Sequence, residues 1–575
     1  MEVKLDEAPR LNRVELLSTA AGLSWAGWAV LLVGLSVLSL GVTGFTIDNN
    51  NIFHLPILEA LWREPQFIHD PFIQSLRYFS SGFWLLQSGV ADDDSVLKFF
   101  LPWLFVSRVL FFAGIGSWTA MLGLAGRKQV LIFMLLATVG SLLRGTSFAG
   151  DGGIAISSFT HSELGNGLAL IALSLVWRRA YGWALSVAGL VFFLNIFMAV
   201  WLAPLMVGTF LMGLRDQPVS IARLVKQCLP GLLVCAVIAL PVLISLAHNP
   251  EVGHRPGYDY RVFLLEHWPD HFLAMHLAPR QYIGFGIVIV TVFATAWQLP
   301  ASVSRLIRMM AATLLMVWSI GALLPFLTQA PLLFNLHLLR STTYLQILAG
   351  LALAALTTRW MTSTNRADSK LWGPLLVVCS VLPALASALV LPLLLLRKAW
   401  HPASWLTVSP VALALLSMAS LGVAVKIGKE YRADSQIAMQ RAEWQELAAW
   451  AKTSTPPDTV FLLPVMRTWS GTSLPAEPQR MSDLLVGSEV FVTLSHRSVW
   501  VAGKYGAAAL WLPSYYPLWH ARMVGSLLAR TLPERLAYAS ENGIGRVVDD
   551  CTVAAGQVPV YRSGRLCVFA VDPGQ

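Results

Sequence analysis

The fold is decided by the segment AGLSWAGWAVLLVGLSVLSLGVTG, Ala21–Gly44, and by the polar run Asp48-Asn49-Asn50-Asn51 that follows it. The first segment contains no charged residue and is longer than the roughly 20 apolar residues that an α-helix needs to cross a bilayer. No small-residue cleavage site follows it, so we expect a retained membrane anchor and not a removable signal peptide. Asp48 then lies where the chain leaves the membrane and enters an aqueous loop, residues 45–99.

The composition of the chain extends this interpretation to the whole protein. Of 575 residues, 56% are hydrophobic and only 13% are charged, which is typical of a polytopic membrane protein. The net charge of +9 would suggest nucleic-acid binding in a soluble protein. Here the basic residues cluster in short loops between apolar segments, as membrane orientation requires, so we expect no nucleic-acid partner.

Further membrane helices are predicted wherever an apolar segment approaches the length of one crossing. They are Phe100–Leu124, Val130–Leu143, Leu164–Val176, Cys228–Leu246, Ile283–Leu299, Met309–Leu327, Thr343–Leu356 and Leu406–Ile427. Trp183–Leu214 and Leu371–Leu396 are too long for one crossing, and Asn195, Pro204, Pro383 and Pro392 interrupt them. Because proline breaks helices, we expect each to be a pair of short helices, which gives about thirteen crossings in total.

The positions of the basic loops predict the orientation. Compact clusters such as Arg127-Lys128, Arg178-Arg179 and Arg305–Arg308 alternate with long loops that carry fewer of them, and this assigns the clusters to the cytoplasm. The four long loops, after residues 44, 143, 246 and 327, then share the extracytoplasmic side. An odd number of crossings also places the C-terminal tail there, unless Leu371–Leu396 is a single tilted helix.

The chain divides by composition into a membrane domain, residues 1–427, and a soluble tail, residues 428–575, of ordinary size for one core. The tail has helical spacing at Glu443–Lys452 and short strand patterns, so we predict a small α/β domain. The predicted strands are Thr459–Leu463, Val490–Leu494, Ser498–Ala502, Arg546–Val548 and Leu566–Val571. An external tail would allow a disulfide between Cys551 and Cys567, although two free thiols are an equal alternative.

Ionisable residues recur at the predicted outer ends of the helices, where such groups are costly and often functional. Asp48 and Asp70 flank the first loop, His161 and Glu163 end the second, and His337 and Arg340 end the fourth. Any one of them could be a solvated loop charge or a helix cap. Their shared side of the membrane favours a composite site.

The chain resembles the GT-C class of integral-membrane glycosyltransferases. The resemblance rests on an acidic residue after the first helix, a long first external loop and a soluble C-terminal domain. Four short motifs are similar to those of an uncharacterised bacterial branch of this class. They are Asn49-Asn50-Asn51, His54-Leu55-Pro56, Asp70-Pro71-Phe72 and Leu338-Leu339-Arg340-Ser341. Asp48 is followed by Asn49, whereas many members carry paired acidic residues there.

The resemblance implies transfer of a sugar from a polyprenyl-phosphate donor to a glycan or glycolipid acceptor at the outer face of the bacterial inner membrane. Asp48 is then the candidate general base, with Asp70 orienting the acceptor or stabilising the sugar carbon, or merely capping a helix. Arg340 is the candidate phosphate ligand, or a snorkelling anchor. The remaining candidate substrate-binding residues are His161, Glu163, His337, Asn50 and His54.

No cofactor is predicted. Asp92-Asp93-Asp94 allows a divalent metal, but three consecutive acids cannot all face one ion in a regular helix or strand. The alternatives are a transporter or flippase for a lipid-linked saccharide, suggested by Asn195 and the proline-broken helices, and an envelope polysaccharide polymerase or ligase. In the tail, the aromatic run Trp511, Tyr515, Tyr516, Trp519 and His520 could stack on sugar rings or simply pack its core.

Overall fold

Apolar helices build most of the protein in the computed structural model, which describes residues 22–92, 95–467, 473–554 and 556–571. Within these ranges, eight segments are long and apolar enough to cross a membrane. They are Trp25–Thr43, Phe100–Ser117, Ile196–Asp216, Ile221–Ala247, Pro279–Trp297, Ala301–Leu327, Pro331–Met361 and Ser409–Ser454. Shorter helices lie between them at Arg127–Val139, His161–Trp177, Tyr181–Leu194, Gly373–Val381 and Val390–Ala399. The predicted polytopic helical fold is confirmed.

Both stretches predicted to be helix pairs are broken. The first divides at Asn195, whose side-chain oxygen accepts hydrogen bonds from the backbone N–H groups of Phe197 and Met198 and so caps the second helix of the pair. Pro204 lies inside that helix and does not end it. The other stretch divides at Pro383, where a 3-10 segment, Ala384–Leu389, connects the two helices.

The membrane domain is organised around helix Thr342–Met361, in which almost every residue is buried. It packs against helices Pro279–Trp297, Gly373–Val381, Arg127–Val139 and Ala301–Leu327. Burial on all sides removes the need for a polar face, which explains why most of its residues are apolar. The helix begins directly after Arg340, so the most buried element of the fold positions a candidate site residue.

The soluble tail begins within a helix. Helix Ser409–Ser454, which we call the long C-terminal helix, runs for 46 residues from the membrane domain into the tail and passes through residues 427 and 428 without a break. Its last turns carry Trp444 and Leu447, which are buried in the core of the tail.

A five-stranded sheet forms the centre of the tail. Its strand order is Ser498–Val499, Val460–Leu462, Arg546–Asp550, Leu566–Ala570 and Tyr561–Ser563. The first three strands pair in parallel and the last two pairings are antiparallel. Helices Gln479–Leu484, Tyr516–Leu528 and Leu532–Glu541 accompany the sheet. The predicted α/β tail is confirmed, and a disulfide joins Cys551 to Cys567.

One predicted strand is wrong. Val490–Leu494 is helical, with Ser488–Val490 in a 3-10 turn and Phe491–Ser495 in a short α-helix that packs against the long C-terminal helix. Its β-branched residues favour a strand only weakly, and burial between neighbouring helices overrides that preference. The strand Tyr561–Ser563 was not predicted.

The first loop and the tail form one structure at the same end of the membrane helices. The loop folds into short helical segments whose apolar side chains share one core with the tail. These segments are Asn49–Ile52, His54–Leu58, Leu61–Arg63, Pro65–Phe67, Pro71–Ser75, Leu76–Tyr78 and Gly82–Gln87. Arg441, on the long C-terminal helix, donates hydrogen bonds to Thr46 and to the carbonyl of Ile47. The exit of the first membrane helix is therefore fixed to the tail.

Candidate active site

A cavity of about 410 Å³ lies where the loops meet the tail, and we call it the central cavity. Five parts of the chain contribute polar side chains to its wall. The first loop supplies Asn50 and His54, the second Asp151 and His161, the third His267 and His271, the fourth His337 and Arg340, and the tail Lys504. The cavity size is within the range usual for small-molecule sites.

Asp48 is not among the residues that line the central cavity, but it directly precedes the lining residues Asn49 and Asn50 in the chain. It is half-buried and caps the 3-10 turn Asn49–Ile52. One carboxylate oxygen accepts a hydrogen bond from the backbone N–H of Asn50 at 2.8 Å, and the other accepts one from the hydroxyl of Ser158 at 2.7 Å. Asp48 therefore caps a helical turn, which is one of the two roles that the sequence allowed for it. The carboxylate is also held in a fixed orientation.

Arg340 presents its guanidinium to the cavity. Its Nε donates to the carbonyl of Gly150 at 2.9 Å, and its Nη2 lies 3.0 Å from Nδ1 of His271. Its Nη1 makes no hydrogen bond to any residue in the described part of the chain, so one edge of the guanidinium is open to a ligand. Gly150 has φ of +87°, and a Cβ there would lie 2.7 Å from the Arg340 backbone nitrogen, so this close approach requires glycine.

Asp151 and His271 form a pair beside Arg340. Nε2 of His271 lies 3.5 Å from a carboxylate oxygen of Asp151. Burial alone would raise the pKa of Asp151, but hydrogen bonding and charge from His271, helped by Thr146 and Arg340, hold it well below its usual range. Burial lowers the pKa of His271, and the positive charge of Arg340 adds to that effect. We therefore expect Asp151 to be ionised at neutral pH.

Lys504 brings a second cation into the cavity from the 3-10 segment Gly503–Leu510 of the tail. Its Nζ lies 3.6 Å from the ring centroid of Trp268, a cation–π contact, and makes no hydrogen bond to the residues that the structure describes. Burial lowers the pKa of Lys504 to about 7, against the opposing pull of Asp48 and Asp151. An anion that enters the cavity would favour its charged form.

Three of the predicted histidines line the cavity. His54 stacks on Trp84 with ring centroids 4.1 Å apart, and burial lowers its pKa well below the usual value. His161 accepts a hydrogen bond from the indole N–H of Trp84 at 2.9 Å, which leaves its Nε2 for the cavity. His337 lies between aromatic rings, and its Nδ1 is buried without a partner among the described residues. Asn50 also lines the wall.

Glu163 and Asp70 do not line the cavity. Glu163 forms a fully buried ion pair with Arg108 and accepts a hydrogen bond from the backbone N–H of Ile156. Asp70 caps helix Pro71–Ser75, accepting hydrogen bonds from two backbone N–H groups at 3.0 Å. Burial raises the pKa of Asp70. Both carboxylates therefore have protein partners away from the cavity wall, and their predicted roles stay predictions.

A narrower chamber of about 250 Å³ adjoins the central cavity. The two share Phe79, His161, Asn195 and His337. Beyond these the chamber wall is largely apolar, with contributions from the helix break at Asn195, the end of helix Ile221–Ala247 and the fourth loop. Its apolar lining includes Leu194, Ile196, Leu246, Leu332 and Leu336. The combined space therefore has a polar end and a hydrocarbon-like end.

The aromatic run of the tail is divided between the cavity and the core. Trp511 lines both spaces, whereas Tyr515 and Trp519 are buried. Of the acidic run, Asp93 and Asp94 lie outside the described residues. Within the described ranges, no group of three or more His, Cys, Asp or Glu side chains is arranged to hold a metal ion.

Lys504 is the main site residue that the sequence did not reveal. It lies far along the chain in a segment, Gly503–Leu510, whose composition is that of an ordinary loop. Its partner Trp268 was also missed, because one aromatic residue in a long loop carries no signal of its own. Asp151 and His271 lie in separate loops, and only the folded chain shows that Asp151 pairs with His271 and that His271 contacts Arg340.

No protein-family model matches the chain, and no curated protein matches its sequence. Among solved structures, the chain is similar to ArnT from Cupriavidus metallidurans, whose crystal structure has undecaprenyl phosphate bound. The two share 13% sequence identity, and the match covers 96% of this chain and 99% of that one with a TM-score of 0.44. A likeness at this level assigns no function, so function is inferred below from the central cavity itself.

Proposed function

We propose that the protein is an inverting membrane glycosyltransferase, which moves a sugar from a polyprenyl-phosphate donor to a glycan or glycolipid acceptor in the cell envelope. The observation that carries this proposal is that two cationic side chains, Arg340 and Lys504, line a cavity that adjoins an apolar chamber. A donor of this kind has the same two parts, an anionic phosphate and a long hydrocarbon chain.

The donor phosphate fits between the two cations. Nη1 of Arg340 can donate a hydrogen bond to a phosphate oxygen. The ammonium of Lys504, which belongs to the tail, provides a second positive charge. The first isoprene units would extend past Phe79 into the apolar chamber. The sugar would then occupy the polar part of the central cavity, near Asn50 and His161.

Asp48 is the proposed general base. The hydroxyl oxygen of the acceptor attacks the anomeric carbon of the sugar while the bond from that carbon to the phosphate oxygen breaks. The hydroxyl proton passes to the carboxylate of Asp48, and the electron pair of the broken bond leaves with the lipid phosphate. Arg340 and Lys504 stabilise the charge that develops on this leaving group. Asp151 holds His271 and Arg340 in position for that purpose.

The reaction is proposed to occur on the extracytoplasmic side of the bacterial inner membrane. The basic clusters of the short loops support this orientation, since such clusters remain in the cytoplasm. The disulfide Cys551–Cys567 supports an oxidising environment for the tail, residues 428–575. The membrane domain, residues 1–427, would then present its long loops to the same compartment.

The test is donor consumption. Purified protein would be incubated with an extracted polyprenyl-phosphate-sugar pool, and mass spectrometry would measure the remaining donor and the released polyprenyl phosphate. Asp48→Asn retains a side-chain oxygen for the cap, so it removes the base with little change to the fold. Asp483→Asn, at an exposed site on the tail, is the matched control.

We expect release by the wild type and the control and none by Asp48→Asn. Full turnover by Asp48→Asn would remove Asp48 as the base. A protein that retains lipid-linked sugars but never consumes them would contradict the transferase and favour the flippase. Products that grow by many sugar units would instead indicate a polymerase.

A further inference from the structure

A second cavity, of about 840 Å³, adjoins the central cavity, and we call it the hairpin groove. The two cavities share Thr146 and Asp151, which belong to the small hairpin formed by strands Gly145–Thr146 and Gly153–Ile154 and to its connecting loop. The other walls come from the residues around Pro383 and from the long C-terminal helix. The proposed reaction does not use this space.

The polar wall of the hairpin groove is predominantly basic. Arg144, Arg280, Lys426 and Lys429 line it, together with two acidic residues. Both acids already have partners. Asp151 pairs with His271, and Glu430 lies 3.9 Å from Lys426. An excess of positive charge therefore faces the groove and favours an anionic ligand.

Arg144 is the most unusual of these cations because it is only 6% exposed and largely lacks partners. Its Nη2 is 3.5 Å from the carbonyl of Val381, a long contact, and its Nε and Nη1 have no hydrogen-bond partner in the described part of the chain. Burial lowers the pKa of Arg144. A buried guanidinium with two unsatisfied donors is costly, and an anion bound at these two nitrogens would remove that cost.

The same groove continues onto an apolar surface. Met418, Leu421 and Val425 line it from the long C-terminal helix, and Leu421 is 64% exposed. These residues lie in the part of the helix that is apolar enough to cross the membrane. Acyl or prenyl chains can therefore lie beside the groove without leaving the bilayer.

We propose that the hairpin groove binds the phosphate of a membrane lipid, and that this lipid is the acceptor of the transferred sugar. Its role as acceptor rests on the function proposed above, whereas its binding does not. The guanidinium of Arg144 offers two unused donors, Nε and Nη1, which lie on different edges, so each can donate one charge-assisted hydrogen bond to a phosphate oxygen. Because Thr146 and Asp151 also line the central cavity, the rest of the lipid headgroup can extend from the groove toward the donor sugar.

The first experiment measures lipid binding in the absence of donor. Native mass spectrometry of the full chain from detergent micelles would compare dioleoyl phosphatidic acid with dioleoyl phosphatidylcholine, which has the same chains and no net charge. We expect the wild type to prefer phosphatidic acid. Arg144→Gln should reduce this preference about tenfold, since it removes the positive charge and the charge-assisted hydrogen bonds of the guanidinium. Arg305→Gln, at an exposed basic site, is the matched control and should bind like the wild type.

Lys429→Gln provides a second variant, because this exposed side chain lines the groove without supporting the core. It should weaken the preference less than Arg144→Gln does. Equal binding of both lipids by the wild type, or an unchanged preference in Arg144→Gln, would overturn the proposal. If inorganic phosphate binds and phosphatidic acid fails to displace it, the bound phosphate does not come from a lipid, and the proposal of a lipid ligand is overturned.

The acceptor role is tested separately in the donor-consumption assay. Arg144→Gln should raise KM for a phosphorylated acceptor lipid about tenfold and leave donor binding unchanged. An unchanged acceptor KM, with lipid binding lost, would overturn the acceptor role alone. If the wild type consumes no donor, the proposed transferase fails, and the binding experiment still decides whether the groove holds a lipid phosphate.

Discussion

Substitution of Lys504 should change how donor binding depends on pH. Burial lowers the pKa of Lys504 to about 7. The free protein would therefore have Lys504 about nine-tenths protonated at pH 6, about half at pH 7 and about one-tenth at pH 8. If only the charged form grips the phosphate, the apparent Kd of the wild type should rise about tenfold between pH 6 and pH 8.

Two variants separate charge from shape. Lys504→Arg keeps its charge at every pH used, so its affinity should stay nearly constant from pH 6 to pH 8. Lys504→Met should also give a flat profile, at the weak affinity that the wild type reaches at high pH. Lys128→Met, at an exposed site in helix Arg127–Val139, should reproduce the wild-type profile.

The assay is equilibrium binding of a polyprenyl-phosphoryl hexose in detergent micelles, because its phosphodiester keeps one negative charge throughout this range. Among the histidines of the cavity, His54, His267 and His271 have their pKa lowered by burial, which favours their neutral form in this range. Burial raises the pKa of Glu489 to about 7, and Glu489 lies near Asp48, so Glu489→Gln must be measured alongside.

Unfolding cannot explain the expected loss of binding. Lys504 has its pKa lowered on folding, so its contribution opposes folding fully below pH 7 and opposes it progressively less as the pH rises toward the ordinary lysine value. As the pH rises, the contribution of Lys504 to the folding stability therefore increases while the affinity for the donor falls. A tenfold loss of affinity that persists in Lys504→Met would refute the assignment of the phosphate contact to Lys504.

Two further predictions follow from contacts described above. Arg340→Ala should weaken donor binding about tenfold or more, since it removes a charged phosphate ligand, whereas the exposed control Arg305→Ala should not. Isothermal titration with donor measures both affinities. Equal affinities of the two variants would return Arg340 to an anchoring role. Replacing Cys551 and Cys567 by serine opens a disulfide of sequence separation 16 and should lower the stability of the tail by about 3 kcal/mol, seen as earlier thermal unfolding than in the oxidised wild type. An unchanged unfolding temperature would contradict that contribution.

The apolar segments predicted the membrane fold well, because a helix in lipid must satisfy its backbone internally and therefore leaves a long continuous pattern. The break at Asn195 was also visible, since a polar residue between two apolar runs caps the second helix. Strands in the tail were less certain. The segment Val490–Leu494 resembles a strand locally and becomes helical only because of its neighbours.

The candidate site was predicted in part for a similar reason. The candidate roles of Arg340 and His337 were predicted from their position shortly before an apolar helix. By contrast, Lys504 meets Trp268 only through packing between the tail and the third loop, which no local pattern records. Glu163 lies at a helix start and is a candidate from sequence, whereas its ion-pair partner Arg108 is distant in sequence and becomes visible only in the folded chain.

The long C-terminal helix makes the tail a rigid lever. At 1.5 Å per residue, its 46 residues extend for about 69 Å without a joint. Any tilt of its membrane end must therefore swing the tail, and with it Lys504, relative to the floor of the central cavity. A polypeptide that ends at residue 427 would lack the second part of this helix and the tail residue Lys504 that lines the cavity. The membrane domain and the tail are therefore best regarded as one structural unit.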